Sequence, residues 1–276
     1  MHIVFDIRNV ICNNKNKGDT MKYLNKLIEL GCFTRQDVVK LTGTKEAAHS
    51  ALHDYLKAGY IERIRRDLYT AISFETKQPI ANRFLIASNI AKDAYVSHHS
   101  AFEYYGYANQ VYYNFYVTTA LRFSDFDYDG ITYKRLSPTI ESGVIVTKTG
   151  VRITDIERTV IDGILAFEKI GGLEELLRCL ELVPSLRADR LQLYLAEYEL
   201  AYLYQKTGFI LYRFNERFGL PESFFDYCKQ NVPQSKKYLY HQKNVDSNHF
   251  VFYKDWNLYG PTDIMTIINK GVDFNG

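Results

Sequence analysis

The sequence predicts an α+β protein: an N-terminal winged helix-turn-helix followed by a larger mixed α/β domain with a helical segment. Residues 34–71, TRQDVVKLTGTKEAAHSALHDYLKAGYIERIRRDLYTA, read as a helix, a three-residue turn, a second helix and a two-stranded wing. Beyond residue 80, short runs rich in aromatic and β-branched residues alternate with helical patterns, the signature of mixed strands and helices. Residues 173–218 then give three amphipathic helices in succession.

In chain order, residues 2–12 (HIVFDIRNVIC) read as a strand and 13–18 (NNKNKG) as a polar linker. The first resembles the nucleophile strand of haloacid-dehalogenase phosphatases, with Asp6 as candidate. Arg8, however, stands where that family needs a second acidic residue, and its other motifs are missing. A first helix follows from Thr20, with Leu24, Leu27 and Ile28 facing inward. Thr34 caps the next helix with Asp37 three residues on, and Gly43 stops it after Val38, Val39 and Leu41. Thr44 caps a third helix running to about Ala58, with Gly59 past its end. In that helix Ala48, Leu52 and Tyr55 fall at i, i+4 and i+7 and pack inward, with Ala51 and Leu56 widening the stripe.

The opposite side of that helix carries Glu46, His49, Ser50, His53 and Lys57, polar groups free to reach base edges in a major groove. Strands at 60–64 and 68–72 flank Arg65, Arg66 and Asp67, a turn whose arginines suit phosphates or a minor groove. The candidate DNA contacts are therefore Arg35, Thr44, Lys45, Glu46, His49, Ser50, His53 and Lys57 on the helices, with Arg63, Arg65 and Arg66 on the wing. Charge points the same way. Residues 1–80 hold 13 Lys+Arg against 9 Asp+Glu, and the remainder 21 against 23, so the net +2 is concentrated where phosphate would be met.

The aperiodic, proline-containing stretch 73–79 (SFETKQP) is the expected boundary, giving domains 1–78 and 79–276. Helix is expected at 80–91, then a strand leading into a helix capped near Ser97 and ended by Gly106. Strands follow at 110–119, 131–136, 143–148 and 151–153. Thr154 and Glu157 form a capping box for the next helix, in which Arg158 and Asp162 stand i, i+4 and can pair. Helices at 173–182, 188–206 and 209–218 are separated by Pro184 and Gly208. Strands at 237–242, 250–253 and 256–259 precede a last short helix after Pro261. The 23 tyrosines and 17 phenylalanines lie mostly beyond residue 80 and imply an aromatic core there.

Enzyme chemistry finds little support. Asp125, Asp127 and Asp129 begin like a calcium loop, but the twelfth position is Leu136 where a bidentate Glu is required. As a nucleotidyltransferase pair they lack the preceding Gly-Ser turn; a hairpin turning at Asp129-Gly130 accounts for them. His98 and His99 are neighbours whose side chains diverge, which suits burial or capping better than a shared metal. Glu157, Arg158 and Asp162 are explained by a cap and an ion pair. No G-x-S-x-G elbow or phosphate-binding glycine loop occurs. No catalysis, cofactor or metal is expected. The four cysteines have no paired spacing, which fits a reducing cytoplasm. No apolar run approaches the roughly 20 residues that span a bilayer, and Asp6 and Arg8 interrupt the apolar N-terminus, so neither membrane nor signal peptide is expected.

With these residues assembled, the chain resembles the AbiEi antitoxin family of bacterial abortive-infection, type IV toxin–antitoxin systems. The stretches that carry the resemblance are the wing ending RDLY (66–69), YVSHHSAFEYYG (95–106), and TDIERTVID (154–162) followed by GGL (171–173). They occur in the family's order over roughly residues 20–270; Thr70-Ala71 stand where a proline often follows the wing. The resemblance implies a repressor that binds inverted repeats in its own promoter. It also implies a second domain that counters a nucleotidyltransferase-like toxin without a stable complex. Two other readings remain open: an enzyme acting on nucleic acid or nucleotides and targeted by the winged domain, and a repressor with a ligand-sensing second domain.

Overall fold

The computed structural model describes residues 21–240 and 250–269, so the strand expected at 2–12 and the linker at 13–18 lie outside the described residues. The chain is α+β. It divides into two compact units, Met1–Ile90 and Ala91–Gly276.

The first unit begins with α1 (Leu24–Leu30), which ends where Gly31 turns to φ +67 and its N–H reaches back to Leu27 and Ile28. A short strand, β1 (Cys32–Thr34), was not legible in the sequence. It leads into α2 (Arg35–Thr42) and, across Gly43-Thr44, into α3 (Lys45–Lys57). Two residues, not three, thus separate those helices. β2 (Ile61–Arg65) and β3 (Leu68–Ala71) complete a three-stranded antiparallel sheet in the order β1-β3-β2. Leu24, Leu27, Phe33, Val38, Leu52, Tyr55 and Tyr69 form one buried cluster beneath helices and sheet.

The expected boundary at 73–79 is corrected. That stretch is a turn tied at both ends: Ile72 bridges Pro79, and the Ile80 N–H donates to Ala71. The Thr70 hydroxyl donates to the Gly31 carbonyl at 3.0 Å and accepts from the Ala81 N–H at 3.2 Å. Then α4 (Arg83–Asn89), capped by Asn82, packs near β1. The division therefore falls after α4, at Ile90.

The second unit opens with β4 (Tyr95–Val96) and α5 (His98–Tyr105), then β5 (Asn114–Thr118), β6 (Phe126–Tyr128), β7 (Ile131–Leu136), β8 (Val144–Val146) and β9 (Arg152–Thr154). These strands form a mixed six-stranded sheet ordered β6-β7-β5-β4-β9-β8, with β5/β7 and β4/β9 parallel. α6 (Ile156–Leu165) follows β9 and packs against α5. Its cap is Asp155, which accepts from the Arg158 N–H at 2.8 Å, and not Thr154 as the sequence suggested. β9 runs through Thr154, whose buried hydroxyl pairs with that of Thr159 at 2.8 Å, so the cap moves one residue on. Glu157 turns away to accept from the Arg187 N–H. Asp155→Ala is accordingly expected to cost roughly 1–2 kcal/mol in chemical denaturation, the loss typical of a side-chain N-cap. A wild-type unfolding midpoint in that variant would overturn the assignment.

Helices follow: α7 (Leu173–Leu182), α8 (Ala188–Tyr198), α9 (Ala201–Arg213), α10 (Asn215–Phe218) and α11 (Glu222–Gln230). The expected helix 188–206 breaks at Glu199, which takes φ +52. Gly208, expected to separate two helices, lies inside α9. A Cβ there would stand 2.1 Å from a Trp256 ring carbon, so glycine serves close approach and not termination. A small sheet of β10 (Lys237–Tyr238), β11 (Phe250–Tyr253) and β12 (Leu258–Pro261), ordered β10-β12-β11, precedes α12 (Thr266–Asn269). Trp256, expected in a strand, sits in a short 3-10 turn. One large cluster, including Leu176, Leu195, Phe209, Phe224 and Trp256, fills the helical part. No helix among the described residues is long and apolar enough to cross a membrane.

Candidate nucleic-acid interface

The surface begins with two local caps. The Thr34 N–H donates to the Asp37 carboxylate at 3.0 Å while the Asp37 N–H donates to the Thr34 hydroxyl at 3.3 Å, a reciprocal capping box. Burial alone would raise the Asp37 carboxyl, but hydrogen bonds from Thr34 and Lys40 outweigh it and hold the group below its ordinary value. Thr44 caps α3 by accepting from the Ala47 N–H at 3.1 Å. With the starts of both helices capped, the rotation of α3 is set by its buried residues Ala48, Leu52 and Tyr55.

That rotation leaves Lys45, Glu46, His49, Ser50, His53 and Lys57 exposed on the other side, as expected. Leu56 does not widen the buried stripe; it is 38% exposed. The arginines of the β2–β3 hairpin divide unequally. Arg66 is 87% exposed at the tip, and Arg63 is exposed on β2. Arg65 is half-buried, and this burial lowers its guanidinium from its ordinary value. The ladder slips between Arg63 and Arg65, so one extra residue on β2 re-aims the side chains near the tip.

Arg35 has a role the sequence did not reveal. Its Nε lies 3.1 Å from the Asp67 carboxylate, and its N–H donates to the Asp67 carbonyl at 3.3 Å. The start of α2 and the tip of the β2–β3 hairpin are thereby coupled, and part of Arg35's charge is already engaged. Asp67 itself takes φ +60 to close the two-residue turn. Lys45, Lys57, Arg63 and Arg66 are exposed on this surface, as is Arg35, with Glu46 and Asp54 beside them.

The other sequence candidates do not converge. Asp129 and Gly130, at φ +50 and +72, form the hairpin turn between β6 and β7. Asp125 accepts from the Arg135 N–H and Asp127 from the Thr132 hydroxyl. His99 faces Glu175 at 3.3 Å in the interior, away from His98. Arg158 pairs with Asp162 at 2.7 Å, both side chains at most 3% exposed. Burial pushes the Cys32 and Cys228 thiols up to about 12, which leaves them poor nucleophiles. Among the described residues no group of three or more His, Cys, Asp and Glu could hold a metal ion.

No protein-family profile matches the chain, and no curated protein matches it in sequence. Its fold has a counterpart. The crystal structure of the RV2827C protein from Mycobacterium tuberculosis superposes with a TM-score of 0.60 at 13% identity, over 92% of this chain and 94% of that one. At that identity the likeness speaks for the architecture alone.

Proposed function

We propose that the first unit is a winged helix-turn-helix that binds duplex DNA, and that the chain is a cytoplasmic transcriptional repressor and antitoxin of the AbiEi type. The observation that carries the DNA reading is the exposed polar face of α3 beside an arginine-tipped hairpin. α3 would lie in the major groove with His49 and Ser50 nearest the bases, while Arg63 and Arg66 meet the phosphates. The antitoxin half rests on the resemblance in residues 95–106 and 154–162, and its test is growth rescue of cells expressing a nucleotidyltransferase-like toxin, sought in the gene next to this one.

Gel shifts at several salt concentrations test the DNA half. Arg63→Ala with Arg66→Ala is expected to weaken binding to every sequence and to flatten the salt dependence by nearly 2 in slope, about 0.9 for each phosphate no longer neutralised. His49→Ala or Ser50→Ala is expected instead to cost about 1–3 kcal/mol of discrimination between operator and random duplex. Wild-type affinity and slope in the double arginine variant would remove the winged-helix reading. A second reading, a repressor whose second unit senses a ligand, is favoured by a cavity inside that unit lined in part by cations and hydroxyl-bearing residues.

A further inference from the structure

The second unit contains a cavity of about 170 Å³ whose walls come from residues far apart in sequence. His98 at the start of α5, Thr118 at the end of β5, Ser137 and Thr139 just past β7, Arg158 on α6 and Lys169 beyond it all line the space. Three residues with aliphatic hydroxyls, an imidazole and two cations thus line it beside the apolar Leu136, Pro138, Leu165 and Ala166 and the Tyr198 ring, and no carboxylate does. Such a set offers donors and positive charge to an oxyanion.

The two cations differ. Arg158 is buried and held on all sides: Nε donates to Asp162 at 2.7 Å, and one terminal nitrogen donates to the Ser142 carbonyl at 2.7 Å. Its charge is matched by Asp162, which also accepts from the Tyr198 hydroxyl. Lys169 makes no ion pair among the described residues; its ammonium stands 5.9 Å from the Tyr116 ring centroid. The cavity wall therefore keeps one positive charge that no ion pair offsets among the described residues, beside the fixed guanidinium of Arg158.

His98 supplies a second, independent observation. It takes φ +54, a left-handed conformation that is strained for an L-residue and that clusters at ligand sites. Its Nδ1 lies 2.9 Å from the Ser97 hydroxyl, which lies 2.7 Å from that of Thr118. This chain of hydrogen bonds fixes the ring and leaves Nε2 without a partner among the described residues. Burial pushes the imidazole below its ordinary value, which favours the neutral ring; with the Ser97 hydroxyl donating to Nδ1, the ring's single N–H sits on Nε2.

We propose that this cavity binds a phosphate group, held by Lys169, the His98 ring and the hydroxyls of Ser137 and Thr139, with Arg158 as its fixed floor. The size admits the phosphate itself and leaves any attached group at the mouth. Inorganic phosphate and a small phosphate monoester are the two sources, and one titration separates them.

The test is thermal melting of the full chain in phosphate-free buffer at constant ionic strength, titrated with potassium phosphate, adenosine monophosphate or potassium acetate. Because arginines of the first unit also attract phosphate, it is run in the Arg63→Ala/Arg66→Ala background. Saturable stabilisation by phosphate or the monophosphate, with little from acetate, is the expected result, as ligand binding to the native state requires. Whichever of the two saturates at lower concentration is the source. Lys169→Ala and His98→Gln should each raise the half-saturating concentration at least about tenfold, the loss of one charge-assisted or well-aligned hydrogen bond. Lys169→Ala removes a half-exposed side chain and keeps the test sound if His98→Gln fails to fold. Equal stabilisation by acetate, none by either phosphate, or an unchanged half-saturation in the Lys169 variant would overturn the proposal.

Discussion

Replacing Arg158 by alanine is expected to destabilise the second unit by about 3–5 kcal/mol, because it strands a buried carboxylate. Arg158 and Asp162 are both at most 3% exposed, and their contact at 2.7 Å spans one turn of α6. The guanidinium also spans to the Ile140 and Ser142 carbonyls and lies 5.3 Å from the Tyr198 ring centroid. Burial works against its charge, but Asp162 beside it outweighs that cost and holds the group above its ordinary value. Alanine would leave Asp162 charged in the interior, two carbonyls without a donor and a void beside Tyr198. Trp256 is the chain's one tryptophan and is buried in the same hydrophobic cluster as α6, so urea unfolding followed by its fluorescence reports this unit. The midpoint should fall with the slope unchanged. Pairing Arg158→Met with Asp162→Leu should recover much of the loss, since a well-packed apolar pair is often as stable as a buried ion pair. If Arg158→Ala unfolds at the wild-type midpoint, the pair contributes nothing to stability and its burial needs another explanation.

Elements set by short-range rules were legible in the sequence. The Thr34–Asp37 box, the Thr44 cap and the Asp129-Gly130 turn each involve residues at most three apart, and each appears in the structure. What failed depended on distant partners. β1 is three residues long and becomes a strand only by pairing Phe33 with Tyr69, so no periodicity could announce it. Gly208 reads as a helix breaker in isolation; Trp256, far downstream, turns it into a contact site. Cutting the chain at residue 78 would sever the Thr70–Ala81 bond and remove α4, and no local pattern in residues 73–79 reveals those ties. The face of α3 was read from its periodicity, whereas the coupling of Arg35 to Asp67 needed the fold. The cavity beside His98 was invisible for the same reason: its walls are scattered between residues 98 and 198.

Glu175→Ala is expected to cost on the order of 3 kcal/mol, because several buried donors converge on one carboxylate. Oε1 accepts from the Asn109 and Gln110 N–H groups, both at 3.0 Å, and Oε2 from the Asn109 side chain at 3.3 Å. His99 Nε2 lies at 3.3 Å and the Cys179 thiol at 3.6 Å from Oε1. Burial alone would raise the Glu175 carboxyl, yet the bonds from His99, Gln110 and Asn109 outweigh it and set the group below its ordinary 4.5. A carboxyl lowered in the folded state contributes stability that is complete above its unfolded value and is lost as pH falls through the folded one. That contribution should therefore be intact from about pH 5 upward and fade below about 4.5. Glu175→Gln separates charge from hydrogen bonding. It keeps one acceptor, so it should lose less than alanine at pH 7. It also no longer titrates, so its deficit against wild type should shrink as the pH drops toward 3. Taking the difference between the two proteins cancels the other carboxylates that titrate over the same range, Asp37 and Asp93 among them. A deficit that stays constant from pH 7 to pH 3 would mean that the ionised form of Glu175 is not what the loop at Asn109–Gln110 is built around.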